Sequence, residues 1–344
     1  ILENTPRLDY SGGATEPSLL LEPSRTNLIP HSEYFDAWTT IISGTGLTPI
    51  VTNNYTISPE GVKNATRVQL DIGTGTSDAD FTQIQTNIST TTGTTYAGSI
   101  YFKSNTGVNQ DIVFQINGQA IVATTITPQW TRYDVSAAAI STGGFFRIRI
   151  RGNEGTNKSA DFSVYGAQFE EGSYPTSYIP NHSGGSETRS ADSCSDAGDA
   201  STFNSTEGVL YAEIAALADD GTNRRISLAK DGNNKINLVL STASNTIQSI
   251  VISQGSVQYN QSFVIPNTSE FFKVAIKYKT SDFALWVNGT ELGTSGSGNT
   301  FASGELIHLT FDNGNGNNPF YGKTKQVLTF NTALSDAELA TLTT

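Results

Sequence analysis

Two stretches of sequence decide the fold of this chain: Leu19-Leu-Leu-Glu-Pro-Ser-Arg-Thr-Asn-Leu-Ile-Pro-His-Ser-Glu-Tyr-Phe35 and Tyr165-Gly-Ala-Gln-Phe-Glu-Glu-Gly-Ser-Tyr-Pro-Thr-Ser-Tyr-Ile-Pro180. They bracket a segment in which apolar and polar residues alternate over short runs, for example in Thr66–Ile72 and Tyr96–Phe102. Such alternation buries one face of a β-strand and exposes the other. The bracketed segment is therefore predicted to be a β-sandwich that ends near Pro180.

The same alternation continues through the rest of the bracketed segment. It predicts strands at Asp111–Ile116, Ala120–Ile126 and Phe145–Ile150. Asn117-Gly118 and Thr142-Gly-Gly144 lie between these runs and carry residues that tolerate positive φ. The spacing of strands and turns is typical of an antiparallel sandwich.

Proline and small polar residues mark the boundaries of this sandwich. Pro6, Pro17, Pro23 and Pro30 interrupt the first 30 residues, which are predicted to be an extended lead-in that can pair with a neighbouring subunit. Residues 181–205 contain few large apolar side chains and are rich in Ser, Gly and Asp, which indicates an exposed linker. We therefore predict a lead-in (1–30), a first sandwich (31–180), a linker (181–205) and a second domain (206–344).

The second domain also has a strand pattern. Alternating or apolar runs that predict strands occur at Gly208–Ile214, Arg225–Ala229, Lys235–Leu240, Ile247–Ile252, Phe271–Tyr278, Asp282–Val287 and Glu305–Phe311. A short helix is predicted at Asp336–Leu342, because Ser335 followed by Glu338 makes a capping box. The chain as a whole is therefore predicted to be all-β, with two antiparallel β-sandwiches in tandem.

Composition supports this fold class and excludes several functions. The 344 residues include 32 glycines and only 15% charged residues, and the formal charge is −12, which disfavours binding to nucleic acid. We expect no membrane insertion, since no apolar run approaches the roughly 20 residues of a transmembrane helix. Cys194 lies among Ser, Asp and Gly and is predicted to be an incidental thiol in the linker. Because the sequence starts at Ile1 and has no Met, we expect a fragment of a longer polypeptide.

The two bracketing stretches resemble the ends of a known domain. In the jelly-roll, carbohydrate-binding-module-like domain of bacteriophage and prophage tail and fibre proteins, R-T-N-L-x-x-x-S-E-x-F opens the domain and G-A-Q-x-E-x-G-x-x-P-T-S-Y-I-P closes it. Arg25–Phe35 and Gly166–Pro180 carry both phrases nearly intact, and the resemblance covers roughly residues 6–192. It implies a jelly roll in a virion protein and does not imply a reaction.

The second domain resembles the laminin-G-like or concanavalin A-like lectin/glucanase sandwich. Phe283–Gly289 is similar to the x-L-Y-V-N-G hairpin of that family. Phe320–Ser335 is similar to its F-x-G-x-I-x-x-V-x-x-Y-N-x-A-L-S ending, which precedes a short helix. The resemblance covers about residues 205–344 and implies a fold that serves glycan binding, protein binding and hydrolysis alike.

The sequence contains no recognisable catalytic constellation. Hydrolases on this sandwich use two carboxylates about 5–9 Å apart, and laminarinase-type relatives carry them as Glu-x-Asp-x-x-Glu, where Tyr211–Leu217 has alanines. Jelly-roll lyases need a Tyr or His base with Arg and Gln. Phe146–Arg151 supplies arginines without a Gln-x-His, and the alternation of these arginines suits a solvent-facing strand surface. No catalytic residue is predicted, and we expect that the protein is not an enzyme.

Tryptophans are the natural candidates for glycan binding, because an aromatic face stacks on the apolar side of a sugar. Trp38 lies in a loop-like stretch and is predicted to be the most exposed of them. Trp286 alternates with Phe283 and Val287 and is a second candidate, with a core position as the alternative. Trp130 matches a family position that packs inside the sandwich and is predicted to lie in the core.

The loop Asp312–Asn318 is the other candidate site. Its Asp312, Asn313, Asn315 and Asn317 carry side-chain oxygens that suit sugar hydroxyls or a hard cation, so Asp312 is also a calcium candidate. The loop has one carboxylate and lacks a bidentate Glu, so an ordinary glycine-rich turn is the alternative. No other cofactor or metal is predicted.

Together these observations predict a non-enzymatic bacteriophage virion protein. It would be a tail fibre or receptor-binding adhesin that contacts host surface polysaccharide and other virion subunits, and that acts outside the cell as a homo-oligomer, with a trimer as the specific expectation. One alternative is a capsid decoration or head-fibre subunit that binds no sugar. The other is the binding-module region of a glycan-degrading enzyme.

Overall fold

The computed structural model describes residues 5–11, 15–119, 123–155 and 157–344. The chain folds into antiparallel β-sandwiches, and the predicted all-β fold class is confirmed. It divides into two compact units. The N-terminal sandwich comprises Ser24–Ser190, and the C-terminal sandwich combines the described residues up to Pro23 with Ala191–Thr344.

The described residues form short strands throughout. Before residue 24 they form β1 (Leu8–Asp9) and β2 (Ser18–Leu21). The N-terminal sandwich contains β3 (Arg25–Asn27), a 3-10 helix (Phe35–Ala37), β4 (Thr39–Ser43), β5 (Ile50–Thr56), β6 (Ala65–Asp71), β7 (Phe81–Ser89), β8 (Thr95–Ser104), β9 (Gln110–Ile116), β10 (Ala123–Ile126), β11 (Thr131–Ala138), β12 (Gly143–Arg151), β13 (Ser159–Glu171) and β14 (Glu187–Arg189). The rest of the C-terminal sandwich contains β15 (Glu207–Ala216), β16 (Arg224–Asp231), β17 (Asn234–Leu240), β18 (Thr246–Ser253), β19 (Ser256–Val264), β20 (Phe272–Lys279), β21 (Phe283–Val287), β22 (Thr290–Ser295), β23 (His308–Thr310), β24 (Gly322–Phe330) and α1 (Asp336–Thr343).

The N-terminal sandwich packs two antiparallel sheets around one core. Their strand orders are β10-β9-β12-β7-β4 and β11-β8-β13-β6-β5. Alternation along the strands sends Phe102, Phe114, Phe146 and Phe162 into the space between the sheets, where neighbouring ring centroids lie 4.9–6.0 Å apart. Burial of each such side chain contributes roughly 1.5–3 kcal/mol. This aromatic cluster is therefore a stabilising part of the core.

The strands predicted in this sandwich correspond to observed strands. The run Thr66–Ile72 corresponds to β6, Tyr96–Phe102 lies within β8, and Phe145–Ile150 lies within β12. Of the predicted strand Ala120–Ile126, residues 123–126 form β10 and residues 120–122 lie outside the described residues.

The two bracketing stretches meet in a buried polar network. Asn27 is fully buried; its amide nitrogen donates to the carbonyl oxygens of Ala167 and Ile179, at 3.2 and 2.8 Å. Gln168, also fully buried, accepts a hydrogen bond from the Ile179 N–H at 2.7 Å and donates to Glu170 at 2.9 Å. Buried polar groups stabilise a fold only when they are hydrogen-bonded. Asn27 and Gln168, which belong to the two bracketing stretches, therefore hold the ends of the sandwich together.

The C-terminal sandwich has the strand orders β1-β2-β24-β15-β20-β21-β22 and β19-β18-β17-β16-β23. Its core lies between these sheets and includes Leu210, Ile226, Leu238 and Ile276. The predicted helix is confirmed as α1, and its capping box is present. None of the helices among the described residues is long and apolar enough to cross a bilayer.

Strand β2, near the start of the chain, forms part of the C-terminal sandwich. Strand β2 pairs with β24 in the register Leu19↔Thr324 and Leu21↔Gly322, and Leu20 and Leu21 are 7% and 6% exposed. This differs from the predicted lead-in over residues 1–30. The sequence could not indicate the difference, because the partner strand lies near the other end of the chain. Residues 1–4 and 12–14 of the predicted lead-in lie outside the described residues.

The predicted linker also differs from the structure. The units divide at Ser190 and Ala191, and the preceding residues Glu187–Arg189 form β14, which pairs with β3. Cys194 is not fully exposed as predicted; it is half-buried against the core of the C-terminal sandwich, and burial raises the pKa of its thiol. Residues without obvious apolar patterning are thus ordered by their contacts with the sandwiches.

Candidate functional site

Trp38 is buried, and the prediction that it is exposed is wrong. Its exposed fraction is 5%, and its ring lies 4.8 Å from the Phe35 ring and 5.6 Å from the Phe146 ring, measured between centroids. The indole N–H donates to the His31 carbonyl oxygen at 3.1 Å. The 3-10 helix that precedes β4 turns the side chain inward, so no ring face is left for a sugar.

Trp286 is 7% exposed and packs beneath α1 with Val209, Tyr211 and Leu339. The core alternative therefore holds for this residue, and Trp286 does not form a glycan platform. Trp130, which was predicted to lie in the core, is instead partly exposed, and its indole N–H donates to the Ile57 carbonyl oxygen at 3.0 Å. The prediction for Trp130 is therefore wrong.

The carboxylate of Asp312 is engaged by its own loop. Asp312 Oδ1 accepts the backbone N–H groups of Gly314, Asn315 and Gly316, at 2.6, 3.1 and 3.1 Å. Asp312 Oδ2 accepts the hydroxyl of Thr310 at 2.6 Å. Among the described residues no group of three or more His, Cys, Asp or Glu side chains is placed to hold a metal ion. This geometry matches the alternative of an ordinary structured turn.

Asn313 is engaged by cationic strands beneath the loop. Its Oδ1 accepts hydrogen bonds from Arg225 Nη1 at 3.0 Å, Lys235 Nζ at 2.8 Å and Asn237 Nδ2 at 3.2 Å. Lys235 is 5% exposed, and burial together with the charge of Arg225 lowers its pKa. The loop therefore provides the acceptor that this buried ammonium group requires.

Asn315 and Asn317 are the predicted glycan-binding residues whose side chains face solvent. Asn317 donates from its backbone N–H and its amide to Asn315 Oδ1, at 3.2 and 3.1 Å. Asn315 also borders a cavity of about 440 Å³ that is lined by residues 191–196, His308 and the Asp312 loop. The structure thus leaves two of the predicted residues available at the surface of the C-terminal sandwich.

A different set of polar residues lines the outer face of the N-terminal sandwich. On β12 the core receives Phe146, Ile148 and Ile150, so Phe145, Arg147, Arg149 and Arg151 alternate on the opposite face. On β7 the corresponding residues are Phe81, Gln83, Gln85 and Asn87. The pairs in register are Phe145↔Asn87, Arg147↔Gln85, Arg149↔Gln83 and Arg151↔Phe81. We name this surface, together with Val113 and Gln115 of β9, the arginine–glutamine face.

The side chains at the centre of the arginine–glutamine face are hardly exposed. Arg149, Gln83 and Gln115 have exposed fractions of 4%, 3% and 6%. The expectation that the alternating arginines form a solvent-facing surface is therefore wrong for the centre of β12. Gln83 Oε1 and Gln115 Oε1 are buried without a hydrogen-bond partner, although nearly all buried polar groups in proteins have one.

Arg149 and Arg151 have acidic partners. Glu154 follows β12 in a turn, and its Oε1 accepts from Arg149 Nη2 at 2.9 Å and from Arg151 Nη1 at 3.2 Å. Asp78 Oδ2 lies 3.6 Å from Arg151 Nη2. These carboxylates neutralise most of the charge at one end of the face.

Arg147 has no such partner. It is the one arginine among the described residues whose guanidinium makes neither a hydrogen bond nor an ion pair. Its guanidinium carbon lies 3.6 Å from the centroid of the Phe145 ring, which fixes the group by a cation–π contact. Burial, together with the positive charge of Arg149, lowers the pKa of Arg147 to about 10. The group is held in place and its hydrogen-bonding capacity is unused.

Sequence reasoning missed this face as a site, although the signal was present. Arg147-Ile-Arg149 and Gln83-Ile-Gln85 each place polar groups on one side of a strand. The pairing of β12 with β7 and β9 brings the two patterns together, and this pairing is long-range. A search for buried-strand patterns with charged residues at every second position would have found it.

Comparison with sequence families gives a match for part of the chain. Residues 195–340 match the family described as the Concanavalin A-like lectin/glucanases superfamily. The C-terminal sandwich has a lectin-like fold. A search of curated proteins found no significant match.

Several solved structures resemble the chain at low identity. One is domain 4 of an extracellular GH43 arabinanase from Geobacillus stearothermophilus in complex with arabinotriose, with 15% identity, 46% of this chain and 73% of that chain covered, and a TM-score of 0.36. Another is sheep galectin-11 in complex with glycerol, with 8% identity, 36% and 90% covered, and a TM-score of 0.28. A CBM4 structure has 15% identity, 42% and 99% covered, and a TM-score of 0.26. Function has to be argued from the site itself.

Proposed function

We propose that the protein is a non-enzymatic glycan-binding protein and that the arginine–glutamine face of the N-terminal sandwich binds the glycan. One observation carries the proposal: the buried acceptors of Gln83 and Gln115 and the guanidinium of Arg147 lack partners in one contiguous patch. An unpaired buried polar group costs about 1–3 kcal/mol. A ligand that offers both donors and acceptors, as sugar hydroxyls do, removes this cost.

The dimensions of the face suit an extended oligosaccharide. Four in-register pairs between β12 and β7 span about 20 Å, because residues on one face of a strand are about 6.8 Å apart. Phe145 lies near one end and Phe81 near the other, and both rings are partly exposed. Their positions support stacking against sugar rings at each end, with amides and guanidinium groups between them.

We further propose that this protein is a bacteriophage virion component, a tail fibre or receptor-binding adhesin that contacts host surface polysaccharide. The support is the resemblance of Arg25–Phe35 and Gly166–Pro180 to the ends of the tail-protein domain. In this role a homo-oligomer, with a trimer as the specific proposal, converts weak single-site binding into avidity. The proposed location is the virion, outside the cell.

An apolar patch on residues 1–30 would favour the capsid-decoration alternative. Among the described residues of that range, Leu20 and Leu21 are buried in the C-terminal sandwich, whereas Leu8 and Tyr10 are exposed. The alternative of a binding module within a glycan-degrading enzyme shares the same binding face. An assay for release of reducing sugar separates that enzyme from an adhesin.

The test is binding of the whole chain to intact candidate host cells and to their extracted polysaccharide, together with its oligomeric mass. The variant Gln83→Ala/Gln115→Ala removes acceptors of the face and should weaken saturable binding about tenfold, since each lost hydrogen bond is worth about 0.5–1.5 kcal/mol. Lys63→Gln changes an exposed residue of the same unit and serves as the control. Equal binding by both variants and wild type would place the glycan elsewhere, and the absence of binding by a folded chain would favour the decoration role.

A further inference from the structure

We infer that the glycan bound by the arginine–glutamine face is acidic, and that an oxyanion of the glycan binds the guanidinium of Arg147. The inference rests on the proposed function and specifies its ligand class. A carboxylate, as in uronic or sialic acids, and a sulfate ester share this chemistry.

The charges on the face leave one cation uncompensated. Three arginines alternate along β12, and the carboxylates of Glu154 and Asp78 pair with Arg149 and Arg151. Neither carboxylate is within ion-pair distance of Arg147. The face therefore keeps a net positive charge at Arg147, within a chain whose formal charge is −12.

The state of Arg147 explains why an anion is preferred to a neutral group. Its Nε is buried without a partner, and the guanidinium is partly desolvated without an ion pair, although the charge of Glu154 acts on it from farther away. A neutral hydroxyl would accept a hydrogen bond from the guanidinium but would not attract its positive charge. A carboxylate or sulfate does both, and hydrogen bonds to charged groups are about twice as strong as neutral ones.

The geometry also favours a two-oxygen ligand. The Phe145 ring covers one face of the guanidinium at 3.6 Å, so the edge with its N–H groups is the part left for a ligand. Planar N–H pairs of arginine match the two oxygens of a carboxylate. Gln85 on β7 and Gln115 on β9 are the in-register neighbours of Arg147. The Gln85 amide is engaged by Gln83 and Asn87, whereas Gln115 Oε1 has no partner and can accept from a hydroxyl next to the acidic group.

The experiment uses the whole chain and small acidic sugars, so that the result depends on the anionic group and not on a particular polymer. The probes are sodium glucuronate, sodium N-acetylneuraminate and glucose 6-sulfate, with glucose and sodium chloride at equal ionic strength as references. The readout is the NMR signal of the Arg147 Nε–H group, which is assigned from its loss in Arg147→Gln. We expect saturable shifts with the acidic sugars near about 1 mM, and none with glucose or chloride.

Two variants keep the test specific to the guanidinium. Arg147→Gln should weaken binding of the acidic sugars about tenfold, and Arg147→Lys, which keeps the charge without the planar fork, should be intermediate. Lys63→Gln removes an exposed positive charge from the same unit and should bind like wild type. The glucuronate and sulfate arms show which oxyanion the site prefers.

Failure of the inference is distinguishable from failure of the proposed function. Equal shifts with glucose and glucuronate, no shift with any acidic sugar, or unchanged binding by Arg147→Gln would overturn the inference. If host polysaccharide still bound through Gln83 and Gln115 in the assay described above, the proposed function would stand with a neutral ligand. If neither the acidic sugars nor the host polysaccharide bound to this face, both the inference and the proposed function would be overturned.

Discussion

Each sandwich carries cations on the outer face of a sheet, and the two faces differ in what covers them. In the C-terminal sandwich the Asp312 loop lies over β16 and β17, and Asn313 Oδ1 accepts hydrogen bonds from Arg225 and Lys235. In the N-terminal sandwich no group of the described residues hydrogen-bonds the guanidinium of Arg147, although its surroundings bury it in part. The first arrangement is complete within the protein, and the second is completed by a ligand.

The comparison shows which polar groups indicate function. A buried cation with its acceptor stabilises the fold and gives no reason to expect a ligand, whereas a buried cation without one lowers stability and requires another explanation. Asp312 and Asn313, which composition and loop chemistry favoured as binding residues, belong to a loop that supplies the acceptor of a buried cation. Arg147 is a buried cation without such an acceptor.

The largest expected effect comes from removing the acceptor in the C-terminal sandwich. Asn313→Ala should lower the free energy of unfolding of that unit by about 2–4 kcal/mol, because it leaves a buried ammonium group with one fewer partner. The measurement is chemical denaturation followed by the tryptophan signal of Trp286. Asn313→Asp keeps an acceptor and should retain the stability, and binding of glycan by the N-terminal sandwich should stay unchanged in both variants. A decrease in the free energy of unfolding below about 0.5 kcal/mol for Asn313→Ala would mean that the hydrogen-bonded cations of the C-terminal sandwich do not stabilise it, contrary to the comparison made above.

The next largest effect on stability is expected from the ion pair of Arg67 and Asp161 in the N-terminal sandwich. Arg67 Nε donates to Asp161 Oδ1 at 2.8 Å, and this hydrogen bond holds the pKa of the Asp161 carboxyl below its usual value. Its stabilising contribution is therefore complete above the unfolded-state pKa of about 3.9 and is lost as the pH falls through the lower folded-state value. Asp161→Asn should be less stable than wild type by about 1 kcal/mol at pH 7.

The same pair predicts how that difference changes with pH. Unfolding measured between neutral and strongly acidic pH should show the curves of wild type and Asp161→Asn converging as the carboxyl becomes protonated. Arg147→Gln, in contrast, should show a smaller change with pH over this range, because no carboxylate lies within ion-pair distance of Arg147. A pH-independent gap for Asp161→Asn would contradict the assigned role of the pair.

Replacement of Arg147 by an apolar side chain should raise the free energy of unfolding, whereas the loss of the Asn313 side chain should lower it. Arg147→Met should raise the free energy of unfolding of the N-terminal sandwich by about 0.5–1 kcal/mol, since it removes a half-buried charge and keeps the packing on Phe145. The same variant should lose binding to acidic sugars. Lys63→Met is the control and should change neither quantity; destabilisation by Arg147→Met would mean that the guanidinium serves the fold.

The smallest effect is expected at the surface of the Asp312 loop. The double variant Asn315→Ala/Asn317→Ala should leave stability within about 0.5 kcal/mol and glycan affinity within about twofold. Isothermal titration with host polysaccharide provides the measurement. A larger loss of affinity would show that the C-terminal sandwich also binds sugar, which is what the sequence analysis predicts for these two residues.

The fold could largely be predicted from the sequence, because strand alternation and two motif pairs are local signals. Both sandwiches and the capping box at Ser335 and Glu338 followed from them. The candidate site could not be predicted in the same way. Exposure of Trp38 and engagement of Asn313 depend on contacts between residues far apart in sequence, which composition does not encode.

The arginine–glutamine face illustrates the same limit. The alternation of Arg147 and Arg149 correctly indicated that they share one face of β12. Whether that face is open to water depends on neighbouring strands and on the turn that carries Glu154, and these bury Arg149 to 4% exposure. Periodicity assigns a side chain to a face, and only the surrounding structure decides what that face contacts.

Strand β2 has a consequence for how the chain is made. It leaves the ribosome before the whole N-terminal sandwich, but its partner β24 is synthesised long afterwards. Such long-range pairing slows folding, so β2 has only β1 as a partner while the N-terminal sandwich forms, and its other edge stays open to misassembly. A fragment that begins at Ala191 would lack this strand and leave the edge of β24 open. Exchange of the N-terminal sandwich for another module therefore needs two cuts, one at Pro23/Ser24 and one at Ser190/Ala191.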